Sequence, residues 1–409
     1  MKITNIKIII IICFCCIISG CSNPKEEIVE LTMIHGWGST EKDHIIMRQI
    51  YEDFEKEYPN IRLNLVSMPS SSDVVNKVGD LLTIGEIPDI VFTGGDGKES
   101  IYEFMVKKGY ALNLMPYIQA DEEFVKNVSD VILENWTTKD GALYTVSDVL
   151  LMGGYWYNKE IFNEAGITEV PKTWDDWIKA CDKIKKMNSE IAPVILDGNH
   201  MAYLMTSILA DENLVELENI KASKINVNSI AFDNMLVQIK EISEYAILAG
   251  NYNYRDTLDS FNKGQSAIYI NGVWANSMID KELSVSYASF PSKDGNGIGT
   301  MSACVGYILG NTGDEKRMEA SVKFLKYMLS EETAKKILEQ TGQIPSNPNI
   351  EITEQSCGTR MNQAVESIKN AGLIIEIPNN LWNPNEKEEY TENILLFLQN
   401  KITEEEFRK

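Results

Sequence analysis

Short apolar strands alternate with amphipathic helices in the first part of the chain, and this alternation restricts the fold more than any other feature. Residues 28–34, 61–66 and 88–92 predict strands because they are short, apolar and bounded by turn residues. Residues 47–58 and 74–82 predict helices because their apolar side chains recur at helical spacing. Strands that alternate with helices form a mostly parallel sheet covered on both faces. We therefore expect an α/β fold.

Two loops follow predicted strands at the end where such sheets bind ligands. Residues 35–40 contain Trp37 between two glycines, and residues 93–97 contain Asp96 in a glycine-rich turn. Ligands of open α/β sheets bind beyond the carboxyl ends of the strands. An indole between two permissive residues suggests an exposed side chain, whereas an Asp beside glycines is also a common turn former. Trp37 and Asp96 are therefore candidates for ligand contact.

Helical patterns dominate the later part of the chain. Thr173 stands where a helix cap is expected, one position before Trp174. Long helical patterns cover residues 229–249 and 315–341, and residues 141–157 predict a hairpin and a strand. The pattern indicates a large chain of mixed strands and helices without an internal repeat.

The N-terminus has the parts of an export signal. Lys2 and Lys7 flank the start, an apolar run covers residues 8–18, and small residues stand directly before Cys21. Eleven apolar residues at ~1.5 Å each cover roughly half of a ~30 Å hydrocarbon core, which argues against a transmembrane helix. We expect a bacterial lipoprotein signal over 1–20 that is cut before Cys21, with lipid attached to that thiol.

Composition excludes several classes of partner. Without the predicted signal the chain keeps 36 basic and 60 acidic residues, a balance that disfavours binding to nucleic acid or to anionic lipid. The remaining 389 residues can form two domains.

Three cysteines remain beyond the predicted lipidation site: Cys181, Cys304 and Cys357. They allow at most one disulfide bridge, and buried free thiols are the expected state.

Four stretches of the sequence resemble one family of binding proteins. Residues 54–61 end in Tyr-Pro-Asn-Ile, and residues 88–91 read Pro-Asp-Ile-Val. Residues 157–174 join Tyr-Asn-Lys, Ala-Gly and Pro-Lys-Thr-Trp, and residues 261–274 join Phe-Asn-Lys-Gly to Asn-Gly-Val-Trp. In this order the stretches resemble the family 1 extracellular solute-binding proteins of sugar ABC transporters, to which the maltose-binding protein belongs. Residues 201–250 have no motif that aligns with the family.

The resemblance implies a two-lobed, periplasmic-binding-protein-like fold of class II. Each lobe would be a mixed, mostly parallel sheet flanked by helices, with a hinge and a cleft between the lobes. We expect residues 21–27 to be a tether, residues 28–149 plus 305–345 to form the N-terminal lobe, and residues 150–304 plus 346–409 to form the C-terminal lobe.

The resemblance also implies which aromatic residues meet the ligand. Trp274 follows Asn-Gly, where the family places an aromatic residue that stacks on a sugar ring, although a core position at a strand end is the alternative. Trp382 lies in a proline-bounded loop of the C-terminal segment, which in the family also supplies a cleft aromatic. Trp174 and Trp177 are expected to pack inside the protein.

Polar candidates come from the strand ends and from the lobe crossings. The position of Asp96 after the third strand matches an acid that binds sugar hydroxyls in the family. Asp148 and Tyr155 are expected near the first crossing, where they could reach the cleft or serve the hinge. Asp197 follows a predicted strand, and Gly306 lies near the second crossing, where the backbone could approach a sugar.

The function that follows from the resemblance is capture without chemistry. We expect an extracellular, lipid-anchored and monomeric subunit that binds a carbohydrate by hinge closure and delivers it to the permease of an ABC importer. The same fold with a peptide or cationic solute is the alternative. Residues 294–297 resemble the start of a calcium loop, but Val305 stands where its glutamate belongs, so a turn is expected. No paired-carboxylate motif supports an enzyme, and no cofactor or metal is expected.

Overall fold

The computed structural model describes residues 27–93, 101–249 and 254–408. Within them the strands are β1 Val29–His35, β2 Ile61–Ser67, β3 Ile90–Phe92, β4 Val149–Asn158, β5 Ala192–Leu196, β6 Ala246–Leu248, β7 Ser266–Gly272, β8 Val285–Ala288, β9 Ile298–Ala303, β10 Tyr307–Leu309, β11 Ile344–Pro345 and β12 Leu373–Ile375.

The helices of the described residues begin with α1 Lys42–Glu57, α2 Ser71–Thr83, α3 Ile101–Lys108, α4 Met115–Gln119, α5 Glu122–Asn127, α6 Asp130–Trp136, α7 Lys159–Glu164, α8 Trp174–Met187 and α9 Gly198–Glu212. They continue with α10 Val215–Lys221, α11 Ile230–Ser243, α12 Tyr254–Asn262, the 3-10 helix η1 Val273–Ser277, α13 Glu315–Met328, α14 Glu331–Thr341, α15 Glu354–Cys357, α16 Thr359–Lys369, α17 Pro378–Leu381, α18 Pro384–Leu398 and α19 Glu404–Phe407.

The first lobe is built on a four-stranded sheet in the order β10-β3-β1-β2. β1 pairs parallel to β2 and β3, and the late strand β10 adds antiparallel to β3. Helix α1 buries the face formed by Met47, Ile50, Tyr51 and Phe54, as its helical spacing predicts. The core of this lobe joins the early segment to α13, whose Phe324 is fully buried.

The second lobe is built on a larger mixed sheet in the order β12-β9-β4-β7-β5-β6, and β8 and β11 also pair with β4. The long strand β4 is antiparallel to each of its partners, whereas β5 is parallel to β6 and β7. Thr173 caps α8 as predicted, because its side chain accepts from the backbone N–H of Asp176. Trp174 and Trp177 lie in the core, also as predicted.

In the part of the chain that the structure describes, three short segments connect the lobes. Residues 146–149 lead into β4, residues 304–306 join β9 to β10, and residues 342–346 follow α14. β11 pairs with β4, so residues 344–345 belong to the second sheet rather than to the first lobe, where the sequence placed them. Within the described ranges, we find no helix with both the length and the apolar character needed to cross a bilayer.

Some predicted element limits were wrong. The pattern over 315–341 divides into α13 and α14, because the side chain of Ser330 accepts from the N–H of Thr333 and starts a new helix. The pattern over 229–249 holds α11 and then the short strand β6. Residues 141–148 form no hairpin, because Val146 bridges to Tyr307 of the first lobe's edge strand instead.

Candidate functional site

A cleft of about 980 Å³ lies between the two lobes. The first lobe lines it with the loop after β1, the start of α1 and the end of β3: Trp37, Glu41, Lys42, Asp43, His44 and Phe92. The facing wall comes from the second lobe: Leu151, Tyr203, Leu258, Asp259, Trp274, Ser277, Met278, Lys281, Ile377 and Asn379. Val149, Cys304, Thr341 and Gln343 close the cleft beside the crossings.

The loop that presents Trp37 is held in place by backbone contacts. The N–H of Gly38 donates to the carbonyl of Met68 at 2.9 Å, and a Cβ at Gly38 would lie 2.4 Å from that oxygen. The Arg48 guanidinium donates to the carbonyl of Trp37 and, at 3.0 Å, to the carbonyl of Ser39. Only glycine allows this close approach, so the loop has little freedom to move the indole.

His35 fixes the same loop from beneath. Its Nδ1 accepts from the N–H of Trp37 at 3.1 Å, and its Nε2 lies 3.1 Å from the hydroxyl of Ser67. An Nδ1 that accepts must be unprotonated, so the ring is neutral and its Nε2–H donates to Ser67. Burial, with the nearby Arg48 charge adding to it, lowers the pKa of His35 to about 4. His35 therefore supports the loop as a neutral ring.

The Trp37 indole stands on an aromatic base. Its ring stacks on Phe92 with centroids 5.4 Å apart and meets the edge of His44 at 4.9 Å. The indole is partly exposed and faces the cleft. This arrangement provides a rigid apolar surface on the wall of the first lobe.

Trp274 provides the corresponding surface on the second lobe. It lies in η1 directly after β7, and its ring lies across Gly272: a Cβ there would be 1.9–2.2 Å from three ring carbons. The turn is anchored by Asn271, whose carbonyl accepts from the hydroxyl of Tyr287 at 2.8 Å. The predicted residues Trp37 and Trp274 thus line the same cleft from opposite lobes.

Several cleft residues were missed by the sequence analysis. Tyr203 lies on α9, within residues 201–250, where no motif could be aligned, and it adds a further aromatic ring to the wall of the second lobe. Asp259, Lys281 and Asn379 add polar groups from helices and loops of the second lobe. Charged and amide side chains are common in the helices and loops of any chain, so no local signal distinguishes these positions.

Three predicted site residues lie away from the cleft. Trp382 is 4% exposed, and its Nε1–H donates to the hydroxyl of Thr206 at 2.8 Å inside the second lobe. Tyr155 is fully buried against Trp177, with ring centroids 4.6 Å apart. Asp197 caps α9, because its carboxylate accepts from the N–H of His200 at 2.9 Å. The structure gives these residues packing and capping contacts rather than exposure to a ligand.

Asp148 and Gly306 lie at the crossings. The Asp148 carboxylate accepts from the Tyr307 hydroxyl at 2.8 Å, and its backbone carbonyl accepts from the N–H of Ser346 at 2.9 Å. Burial raises the pKa of Asp148 to about 6, although the Tyr307 hydrogen bond opposes the shift. A Cβ at Gly306 would lie 2.2–2.4 Å from the backbone of residues 146–147. Both residues therefore join the crossing segments to each other.

Cys21 and Asp96 lie outside the described residues. Cys181, Cys304 and Cys357 are free thiols. Among the residues that the structure describes, no group of three or more His, Cys, Asp or Glu side chains is placed to hold a metal ion.

Comparisons with known proteins agree with this architecture. The sequence profile of the family described as "Bacterial extracellular solute-binding protein" matches residues 37–335. The "Multiple sugar-binding protein" of Streptococcus mutans is 23% identical over 341 residues, which cover 79% of this chain and 76% of that protein.

Two solved structures share the fold. A Streptococcus pneumoniae solute-binding protein, solved with the blood group A-trisaccharide, has a TM-score of 0.77 at 23% identity and covers 93% of this chain and 97% of its own. A chitin oligosaccharide binding protein has a TM-score of 0.77 at 22% identity, and the match covers 93% of this chain and 96% of that protein's chain. These likenesses confirm the predicted two-lobed α/β fold.

Proposed function

Because the chain belongs to the bacterial extracellular solute-binding protein family, we propose that it captures a sugar or oligosaccharide in the cleft between its lobes. Capture requires binding and closure but no covalent step, so the protein acts as a receptor rather than an enzyme. Among relatives, the names of the Streptococcus mutans protein and of the chitin oligosaccharide binding protein support a carbohydrate as the solute.

One observation carries the proposal: partly exposed tryptophans face the cleft from both lobes. Trp37 belongs to the first lobe and Trp274 to the second, and both line the same cavity. Aromatic rings combine a large apolar face with a rigid shape, and a pyranose ring offers an apolar face of C–H groups that suits such a surface. Large apolar groups exposed at a concave site indicate ligand contact.

The size and polarity of the cleft favour an oligosaccharide. A volume of about 980 Å³ lies at the upper end of the ~300–1,000 Å³ usual for small-molecule sites. The lining carries three carboxylates, of Glu41, Asp43 and Asp259, and the ammonium groups of Lys42 and Lys281. Charges of both signs beside amides and hydroxyls suit the many hydroxyls of a neutral sugar, and they do not favour a cationic solute.

Closure of the lobes would enclose the ligand. The three crossings at 146–149, 304–306 and 342–346 are short, and Asp148 accepts hydrogen bonds from Tyr307, directly after the second crossing, and from Ser346 in the third. A few residues at the ends of elements commonly absorb such hinge rotations. We propose that the lobes divide as the sequence suggests, with the third boundary moved to precede Ile344.

The delivery step needs a membrane partner. We propose that the permease of an ABC importer receives the sugar from the closed form, and that the protein acts as a monomer. Lipid on Cys21, with residues 21–27 as a tether, would hold the protein at the outer face of the cytoplasmic membrane, close to the permease. Mass spectrometry of the mature N-terminus tests the anchor; an unmodified Cys21 would contradict it.

A sugar panel tests the binding function. Maltose, malto-oligosaccharides, chitin oligosaccharides, arabino-oligosaccharides and the blood group A trisaccharide are titrated while tryptophan fluorescence and melting temperature are recorded. We expect at least one sugar to change both signals. Trp37→Ala and Trp274→Ala should each weaken the affinity for that sugar by tenfold or more, as measured from the melting temperature, in the range for buried aromatic contacts. Trp382→Phe should keep the wild-type affinity. A panel without any response would contradict the carbohydrate assignment.

A further inference from the structure

A side-chain hydrogen bond joins the two lobes at the cleft. The hydroxyl of Ser277, on the second lobe, donates to Oδ2 of Asp43, on the first lobe, at 3.1 Å. Both side chains line the cleft. Other interlobe bonds, such as Asn347 Nδ2 to Asn127 Oδ1 at 3.1 Å, lie beside the crossings, where the chain already holds the lobes together.

The two partners belong to the segments that carry the tryptophans. Asp43 lies in the first turn of α1, six residues after Trp37, and Ser277 ends the short helix η1 that contains Trp274. The Ser277 hydroxyl also lies 3.5 Å from the carbonyl of Trp274. The bond between Asp43 and Ser277 therefore connects the two walls of the cleft through short, ordered segments.

Asp43 is partly buried at this contact, whereas Ser277 is exposed. Desolvation by burial raises the pKa of Asp43, and the Ser277 hydrogen bond and the Lys42 charge partly oppose that rise. A carboxylate that has lost part of its hydration is stabilised by a donated hydrogen bond more than a fully solvated one. The bond would have to break each time the lobes separate.

We propose that Asp43 and Ser277 form an interlobe latch that stabilises the closed form and fixes the spacing between the Trp37 and Trp274 walls. The proposal rests on capture by closure, as proposed above, and adds specific positioning residues to it. Their effect acts through the equilibrium between open and closed forms, since a bond made only in one form shifts the population toward that form. Loss of the latch should shorten the lifetime of the bound complex.

A double-mutant cycle with the panel sugars tests the latch. Ser277→Ala and Asp43→Ala should each weaken binding of the tightest malto-, chito- or arabino-oligosaccharide by on the order of tenfold, mainly through faster dissociation. The double variant should be no weaker than either single variant, because one bond is lost in every case. Ser277→Thr, which keeps the hydroxyl, should bind the sugar as tightly as the wild type. Asp53→Ala, on the same helix α1 as Asp43, serves as the matched control.

A measurement without sugar separates the latch from the binding function. Small-angle X-ray scattering should show a larger radius of gyration for Ser277→Ala and Asp43→Ala than for the wild type and Asp53→Ala. Additive losses of affinity would assign the two residues to separate sugar contacts and overturn the latch. Unchanged affinity together with an unchanged radius of gyration would overturn it as well. If no sugar binds the wild type, the carbohydrate assignment fails while the scattering result still decides the latch.

Discussion

Substitution of Gly272 by Ala should displace the Trp274 indole without disturbing the fold. A Cβ at Gly272 would lie 1.9–2.2 Å from three carbons of that ring, whereas carbon atoms in contact stay ~3.5–4.0 Å apart. The ring must therefore move by roughly 1.5 Å or more. The backbone at Gly272 has φ −77° and ψ 174°, which Ala adopts without strain.

The expected loss of sugar affinity follows from the contacts that the Trp274 ring loses. An aromatic contact contributes ~0.5–1.5 kcal/mol beyond the area that it buries, and a displaced ring also loses burial against the sugar. We expect Gly272→Ala to weaken sugar binding by roughly 10- to 50-fold, which corresponds to about 1.4–2.3 kcal/mol. Because the indole is partly exposed and can swing into the cleft, the free energy of unfolding should fall by less than about 2 kcal/mol.

Isothermal titration calorimetry measures the loss of affinity, and thermal melting measures the stability. Gly79→Ala is the matched control, because a Cβ at Gly79 meets nothing within 4 Å and lies inside helix α2. That control should keep its affinity and gain roughly 0.5–1 kcal/mol of stability. Wild-type affinity in Gly272→Ala would show that the Trp274 ring is not a binding surface, and the proposed site would have to be revised.

Three further predictions concern the hinge, the Trp37 loop and a helix cap. Burial raises the pKa of Asp148 to about 6, so its stabilising contribution is complete below the unfolded pKa of ~3.9 and is lost as pH rises through 6. Asp148→Asn should therefore raise the melting temperature relative to wild type more at pH 7.5 than at pH 4, and the difference in unfolding free energy should reach up to about 3 kcal/mol. An equal effect at both pH values would contradict the raised pKa of Asp148. Arg48→Met should leave the carbonyls of Trp37 and Ser39 without their donor and weaken sugar binding by roughly three- to tenfold, with greater acrylamide quenching of the exposed tryptophans; unchanged quenching would argue against a positioning role. Ser330→Ala should remove the cap of α14 at a cost of about 1 kcal/mol, seen by scanning calorimetry as a lower melting temperature with unchanged affinity.

The fold was largely accessible from sequence because local patterns and topology agree. The strand and helix order in the first lobe follows directly from short apolar runs bounded by turn residues and from apolar side chains at helical spacing. The division of 315–341 was missed because Leu329 continues the apolar stripe of the helical pattern, although Ser330 is a residue type that favours a helix start; the bond from the N–H of Thr333 shows that it is the cap. The strand β10 was also hidden, since its place beside β3 depends on a contact between distant parts of the chain.

The site was only partly accessible, and the tryptophans show why. Trp37 was identified from the glycines on both sides of it, and Trp274 from its place in the stretch that resembles the family. Trp382 was a candidate from its proline-bounded loop and the resemblance, yet its ring lies inside the second lobe, where its Nε1–H donates to the hydroxyl of Thr206. The direction of a side chain at the end of a short helix depends on tertiary neighbours, which local sequence does not specify. Tyr203 was missed for the same reason, since α9 is apolar on most of its surface.

A crystal structure of the protein with its tightest-binding oligosaccharide tests the central claim most directly. We expect density for sugar rings in the cleft between the lobes, with ring faces within about 4 Å of the Trp37 and Trp274 indoles. We also expect hydroxyls bonded to the polar lining near Asp259 and Asn379. A sugar bound outside this cleft, or one that contacts neither indole, would contradict the account.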